Sequence, residues 1–435
     1  MSKKKISLDS KFVKKLTTKK NTSLDLFSKL RLTKWGVIIS FILSIIVSLL
    51  VSYFINLGPI NPQKYSVQKN IEIGEKINKK DLECKYTFKS DYIKGPESLV
   101  YNKERNSIFT GSKNGSIIEL DVNTLKTKKV YSIYNILYNN NNIKKKYICD
   151  GTYYTISICG RPLGLQFGVT PKTSNILYIA DGIFGIYSLN LDTQKITILI
   201  NSEENTTYEK RKKMYGNDLI VTKSGIYFSI SSTKFDDNQY LYDILEHSNN
   251  GKIMYYDFEN KKISEIIGKL YFPNGIQMIK DNKVLLVSEM SKMRIIKINL
   301  EKNNNVVINK FIEYLPGYVD NIRIIKNNNN NELVVPIPYQ VTYGDEFFAN
   351  YPGFRRMLSA IFQYPIMEKF INYFSNSNSL IQYYNVETGE YLRTINIPFK
   401  GLSVSHVLHL KFLNIIYFGS DNGDYIYACQ IDSNF

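Results

Sequence analysis

The sequence predicts an all-β fold: a six-bladed β-propeller with an N-terminal transmembrane signal-anchor helix and a helical insertion in the fifth blade. The first observation behind it is a strand opening that recurs. Leu315-Pro-Gly-Tyr-Val-Asp-Asn-Ile-Arg323 turns through Pro316 and Gly317 and sets Asp320 and Asn321 at the mouth of an apolar run. Glu97-Ser-Leu-Val, Asn217-Asp-Leu-Ile and Asn274-Gly-Ile-Gln begin the same way, each with an oxygen-bearing side chain two residues before Leu or Ile. The second observation is the period. Units open at Glu97, Arg161, Asn217, Asn274, Asp320 and around Ser405-His406, roughly 45–65 residues apart except across the longer fifth unit, as four-stranded blades require. The third is the content of each unit. A second strand ends in small and polar residues (109–112, 179–182, 287–289, 418–421), and a third strand follows (116–120, 185–189, 252–256, 294–298, 425–429). Alternating runs of Tyr, Ile and Val suit short antiparallel strands. A β-sandwich would leave the six-fold recurrence unexplained.

If the units close into a ring, the oxygens of Glu97, Asn217, Asn274 and Asp320 meet at its axis, with Asn321 adjacent. A hard cation such as Ca²⁺ needs that kind of site. In the same register the second unit offers Arg161, and the sixth offers Ser405 or His406, depending on which residue begins the strand. Arg161 could hold a carboxylate or oxyanion in bidentate fashion, or make a structural ion pair. His406 is the general-base candidate there, its alternative role being a hydrogen bond to a neighbouring strand. His247 falls in a polar loop and is expected to be solvated.

Residues 1–35 hold eleven Lys and Arg against Asp9 and Asp25, and read as a disordered basic cytoplasmic tail. The tail carries +9 (11 − 2) of the formal +17, so the high net charge is no argument for nucleic acid. Residues 36–58 are uncharged and long enough to span a ~30 Å hydrocarbon core. The run is too long for a cleavable signal peptide. Lys29, Arg31 and Lys34 before it are expected to stay cytoplasmic and Trp35 to sit at the interface, a type II orientation in the endoplasmic reticulum or plasma membrane. Residues 59–80 read as a linker and 81–435 as the propeller.

A lumenal or extracellular domain permits disulfides, and Cys149 and Cys159 flank a short loop. Cys84-Lys-Tyr-Thr-Phe88 is expected to pair as the outer strand of the last blade beside residues 425–431, which would let Cys84 bridge Cys429. Asn114 and Asn205 begin sequons on the translocated side; Asn21 begins one in the cytoplasmic tail. Residues 343–376 interrupt the fifth unit with apolar positions 354, 357, 358, 361 and 362 at helical spacing. They are expected to cap the propeller, as a lid over the site, a surface against the bilayer, or both.

Gly95-Pro-Glu-Ser98, Cys159-Gly-Arg-Pro-Leu-Gly164, Phe272-Pro-Asn-Gly275 and Pro316-Gly-Tyr-Val-Asp-Asn-Ile-Arg323, in this order, resemble the strictosidine synthase-like family over roughly residues 80–431, and most of all its membrane-anchored animal branch. That resemblance implies a six-bladed propeller on a single-pass type II glycoprotein. It also implies calcium held by Glu97, Asn217, Asn274 and Asp320, with Asn321 adjacent, and aryl-ester hydrolysis. The plant synthases use a Glu at the end of a strand that here reads Glu332-Leu-Val-Val-Pro-Ile-Pro-Tyr339, with no acid at its end. Without a base to deprotonate an amine, synthase activity is not expected. Two readings follow: a calcium-dependent hydrolase of small aryl esters or lactones, or a membrane-tethered binding or scaffold propeller.

Overall fold

The computed structural model describes residues 36–53, 57–67, 83–89, 92–138, 147–201, 213–300, 307–326, 331–374, 379–397 and 402–431. The basic tail, Asn21 and Asn205 lie outside them. The chain divides into a unit at 1–58 and a unit at 59–435. In the first, one helix is described, α1 (Gly36–Tyr53), whose 18 residues are long and apolar enough to cross a membrane. Residues 54–56 lie outside the described residues, and Leu57 is helical.

The second unit starts its sheets with β1 (Glu83–Lys89), then β2 (Leu99–Asn102), β3 (Ser107–Gly111), β4 (Ser116–Asp121) and β5 (Thr127–Ser132). Short helices α2 (Ile133–Tyr138) and α3 (Tyr153–Cys159) precede β6 (Pro162–Phe167), β7 (Ile176–Asp181), β8 (Gly185–Asn190) and β9 (Ile196–Asn201). Next come β10 (Gly216–Val221), β11 (Gly225–Ile230), α4 (Tyr240–Glu246), β12 (Gly251–Asp257) and β13 (Ile263–Leu270), followed by β14 (Pro273–Ile279), β15 (Val284–Glu289), β16 (Arg294–Asn299) and β17 (Val307–Ile312). The next stretch holds β18 (Gly317–Tyr318), β19 (Arg323–Ile325), β20 (Glu332–Ile337) and β21 (Tyr339–Gln340). Three helices, α5 (Tyr343–Asn350), α6 (Pro352–Ile361) and α7 (Tyr364–Phe374), intervene before β22 (Leu380–Asn385) and β23 (Tyr391–Asn396). The chain closes with β24 (Val404–Leu410), β25 (Ile415–Ser420) and β26 (Tyr425–Gln430).

Among the described residues the strands form antiparallel sheets in the orders β2-β3-β4-β5, β6-β7-β8-β9, β10-β11-β12-β13, β14-β15-β16-β17, β19-β20-β22-β23 and β24-β25-β26-β1, plus the small pair β18-β21. As the sequence predicts, β1 pairs with β26, in the register Tyr86↔Ala428 to Lys89↔Tyr425, so the chain's two ends complete one sheet. The innermost strands touch in sequence, β2 to β6, β10, β14, β19, β24 and back to β2. A separate apolar core fills each gap between neighbouring sheets, for example Phe109, Ile117, Leu165 and Leu177, or Ile108, Leu120, Tyr417 and Ile426 across the join. The inner strands approach backbone to backbone, and glycine permits this. A Cβ on Gly275 would lie 2.5 Å from the Ile322 nitrogen, and one on Gly164 2.6 Å from the Asn217 oxygen. The architecture is all-β and propeller-like.

Residues 59–67 depart from the linker expected there. Ile60 is buried in an apolar cluster with Phe235, Leu241, Leu245, Tyr364 and Met367. The Tyr65 amide donates to the Ala349 carbonyl at 3.3 Å, the Asn61 amide to Glu246 Oε2 at 3.2 Å, and Arg355 Nη2 to the Gln63 carbonyl at 2.6 Å. The cause lies in Ile60 and Tyr65, two apolar bodies within a stretch whose polarity otherwise suggests solvent. This strap covers His247, which is buried and not solvated: its ring stacks on Tyr65 at 3.6 Å, and burial pushes its pKa down to about 3.

Cys149 and Cys159 are bridged, which ties the approach to α3 to its last residue. Cys429 is disulfide-bonded, while the Cys84 side chain lies outside the described ones. Opening the bridge with Cys149→Ser is expected to cost about 2–3 kcal/mol, the chain entropy of a loop this short, read as a fall in the urea midpoint.

Asp243 in α4 is buried beside Ser232, whose hydroxyl donates to it, and burial raises its pKa to about 7. A carboxyl whose folded pKa lies above its unfolded one stabilises the fold at low pH, and that contribution is lost as pH rises from about 4 through about 7. Asp243→Asn is therefore expected to flatten the pH dependence of unfolding between pH 4 and 8 by up to about 4 kcal/mol. Identical slopes in wild type and variant would reject this role.

Candidate metal centre and active site

Each inner strand begins at the axis, and its first residues are set by the preceding turn. Glu97 precedes β2, Asn217 and Asn274 are the second residues of β10 and β14, and Asp320 and Asn321 follow β18. All five are buried, with Glu97 5%, Asn217 2%, Asn274 3%, Asp320 6% and Asn321 1% exposed. The structure draws them together: Asn321 Nδ2 donates to Glu97 Oε1 at 3.5 Å, and the Asn274 amide hydrogen-bonds the Asp320 carboxylate. The sixth strand joins through Ser405, whose hydroxyl donates to the Glu97 carbonyl at 2.9 Å while its own carbonyl accepts from the Asn321 amide at 3.1 Å.

The side-chain oxygens Asn217 Oδ1, Asn274 Oδ1, Asp320 Oδ1 and Asn321 Oδ1 are buried without a hydrogen-bond partner. An orphaned buried acceptor costs about 1–3 kcal/mol, and four around one axis point to an electrophile for which they are arranged. Burial, then the charge of Asp320, raises the Glu97 pKa well above its ordinary value; burial and then Asp421 do the same for Asp320. The donor set is two carboxylates and amide oxygens, hard ligands of the kind Ca²⁺ takes. No group of three or more His, Cys, Asp or Glu that could hold a metal occurs among the described residues, so the amide oxygens of Asn217, Asn274 and Asn321 would have to complete the set.

Arg161 and His406 are not brought together. Arg161 is fully buried: Nη2 meets Asp421 Oδ1 at 2.8 Å and Glu97 Oε2 at 3.5 Å, and Nη1 donates to the Gly95 carbonyl at 2.8 Å. These bonds turn its guanidinium towards the protein's own carboxylates, so it positions Glu97 and is not presented to a substrate. Of the two residues offered for the sixth strand, Ser405 bonds the ring residues Glu97 and Asn321, while His406 lines a separate cleft walled by all six inner strands. His406 hydrogen-bonds the Leu99 backbone, and burial, then Arg323, holds its pKa well below the ordinary value. It lines a cleft of about 540 Å³ with Arg323, Gln166 and His409. Arg323 there forms a bidentate pair with Asp218 at 2.7 and 2.9 Å. Glu332 pairs with Arg393 at 2.7 Å, as a structural acid.

The sequence reading missed Asp421, Asp237 and Glu368. Asp421 ends the strand motif Phe418-Gly-Ser-Asp421, so its signal was the acidic end of a second strand. Asp237 accepts from the Tyr215 hydroxyl at 2.9 Å, and burial, opposed by Arg161, raises its pKa to about 6. Glu368 of α7 bonds Tyr240 and feels Lys113 and Asp421, with burial raising its pKa. Beside the acidic floor, a cavity of about 120 Å³ is walled by Tyr65, Tyr240, Met290, Tyr318, Tyr339 and Phe348. Asn274 Nδ2 reaches the Met290 sulfur at 3.7 Å, joining floor to wall. Asn114 is half-buried in the β3–β4 turn, its Oδ1 accepting from the Ser116 amide.

The strictosidine synthase family model matches residues 217–303, a span holding Asn217 and Asn274. The adipocyte plasma membrane-associated protein of Salmo salar is 27% identical over 396 residues, covering 89% of this chain and 88% of that protein. The protein of the same name from Homo sapiens is 25% identical, covering 84% and 82%. STRICTOSIDINE SYNTHASE-LIKE 13 of Arabidopsis thaliana is 29% identical over 65% of this chain and 66% of its own. Among solved structures, a luciferin-regenerating enzyme superposes with a TM-score of 0.50 at 12% identity, covering 80% of this chain and 95% of that one, a likeness of fold alone. Relatives named for membrane association and the apolar helix α1 are consistent with single-pass anchoring. The resemblance carried by the four motifs is borne out: the chain is a relative of the strictosidine synthase-like proteins, similar over most of its length to those named adipocyte plasma membrane-associated protein.

Proposed function

We propose that this protein is a calcium-dependent hydrolase of small aryl esters or lactones, built on a six-bladed propeller whose fifth blade carries α5–α7 as a lid. The observation that supports it most is the set of unpartnered buried oxygens on Asn217, Asn274, Asp320 and Asn321 around Glu97. Glu97, Asn217, Asn274 and Asp320 would hold the ion, with Asn321 beside them. The chemistry such an ion supplies when bound is polarisation of an ester carbonyl and acidification of water. The chain's own groups do the rest. Arg161 fixes the orientation of Glu97, the aromatic cavity takes the apolar part of the substrate, and the lid excludes water. Asp237, held by Tyr215 and titrating near about 6, is placed to take up a proton.

The orientation we infer is type II, with α1 as a signal anchor, the basic tail cytoplasmic, and the propeller in the lumen of the endoplasmic reticulum or outside the plasma membrane. The Cys149–Cys159 bridge favours an oxidising compartment. Asn114 and Asn205 are the proposed glycosylation sites, and the bilayer and a small ester or lactone the proposed partners.

One observation favours the second reading, a non-catalytic binding propeller: neither Arg161 nor His406 faces the acidic centre as a free catalytic group. The full chain in detergent is expected to hydrolyse phenyl acetate and to lose that activity in chelator. Calcium-dependent melting without turnover would leave the binding propeller standing.

A further inference from the structure

We propose that residues 59–67 form a working wall of the candidate site, and that Tyr65 sets the size of an apolar subsite that takes one aromatic ring; the identity of the ring's parent as an ester rests on the hydrolase reading. The cavity of about 120 Å³ is bounded by Tyr65 on the strap, Tyr240 on α4, Phe348 on α5, and Met290, Tyr318 and Tyr339 from the propeller body. Engineered apolar cavities of about 150 Å³ bind benzene, so this volume suits one ring or a short acyl chain and no more. Four phenols, a phenyl ring and a thioether present ring faces and a polarisable sulfur, and the two charged lining residues are engaged by the protein itself, Asp345 by Tyr318 and Thr342 and Arg355 by the Leu245 and Gln63 carbonyls, so the wall suits a flat apolar group.

Tyr65 is held in place by three independent elements. The His247 ring stacks on it at 3.6 Å with planes 5° apart, the Arg355 guanidinium lies 5.1 Å from its centroid, and its amide is tied to Ala349 of α5 at 3.3 Å. Arg355 is itself buried and donates to the carbonyls of Leu245 and Gln63. One arginine thus clasps α4, α6 and the strap. Ile60 anchors the strap's other end under Tyr364 and Met367 of α7. A side chain fixed on every side but one, with the remaining side facing a cavity, reads out size.

The test uses the full chain in detergent micelles, with p-cresol as a binding probe followed by saturation-transfer NMR, and with phenyl acetate and ethyl acetate as substrates. Wild type is expected to bind p-cresol. Tyr65→Trp, which fills the cavity, is expected to lose that binding and to raise KM for phenyl acetate at least tenfold, with a smaller rise for ethyl acetate. Tyr65→Ala, which opens the wall, is expected to admit 2-naphthol, which wild type excludes. No p-cresol binding to wild type, or equal binding to wild type and Tyr65→Trp, overturns the subsite. Binding without turnover of any ester keeps the subsite and rejects the hydrolase reading instead.

Discussion

Arg161→Met is expected to destabilise the propeller unit by about 3–5 kcal/mol, the loss typical when one partner of a buried ion pair is removed. The substitution is close in length and keeps apolar contacts, so the effect is electrostatic. It strips the cation from Glu97 Oε2 and Asp421 Oδ1 and leaves the Gly95 carbonyl without its donor. Glu97 is buried beside Asp320, and the two carboxylates already oppose each other's ionisation. Arg161→Lys should recover part of the loss, because one ammonium on a flexible stem cannot reach the carbonyl and both carboxylates together. Urea denaturation followed by tyrosine near-UV circular dichroism measures this. A midpoint for Arg161→Met within error of wild type would show that the cation contributes nothing to the ring.

Asp320→Asn is expected to act with opposite signs depending on calcium. In chelator the variant should melt at or above the wild-type temperature, because it removes a carboxylate that burial and Asp421 disfavour in its charged form. With calcium at a hundred times its dissociation constant, linkage stabilises wild type by about 2.7 kcal/mol. The variant should lose most of that increment, since one anionic ligand of the set is gone. Isothermal titration calorimetry on both proteins, with melting in calcium and in chelator, separates the two effects. Equal calcium increments in wild type and variant would place any bound ion elsewhere.

The ring positions were legible because each is announced by local chemistry that does not depend on tertiary context. A polar residue two before Leu or Ile marks the start of five of the six inner strands, and in the sixth Ser405 stands two before Val407. The third strands expected at 116–120, 185–189 and 294–298 start with β4, β8 and β16 and end one residue before them. A further repeat went unread. Asp121, Asn190, Asp257 and Asn385 each accept backbone amides two and three residues on, capping the turn between the third and fourth strands of four sheets. Such Asx turns are visible in sequence as Asp-Val-Asn-Thr, Asn-Leu-Asp-Thr, Asp-Phe-Glu-Asn and Asn-Val-Glu-Thr.

What could not be read was partnership over long sequence distances. Arg161 looked available because the sequence does not show that Asp421, 260 residues away, closes on it. His406 looked like a free base because the sequence does not show that its ring would be buried against the Leu99 backbone and Arg323. The strap looked like solvent-exposed linker because its buried residues, Ile60 and Pro62, are too few to give a period.

The strap also sets how the second unit bears mechanical load. Tension applied to the chain ahead of Pro59 enters at Ile60, the Gln63 carbonyl and Tyr65, and reaches β1 only after those holds have given way. Burial of Ile60 and a few hydrogen bonds to α4, α5 and Arg355 are weaker in series than the β1–β26 ladder behind them. A pull on the N-terminal side of Pro59 therefore loosens the contacts to α4–α6 before it can unzip a sheet. The strap behaves as a mechanical fuse, and the first part of the molecule to report strain is the wall of the aromatic cavity.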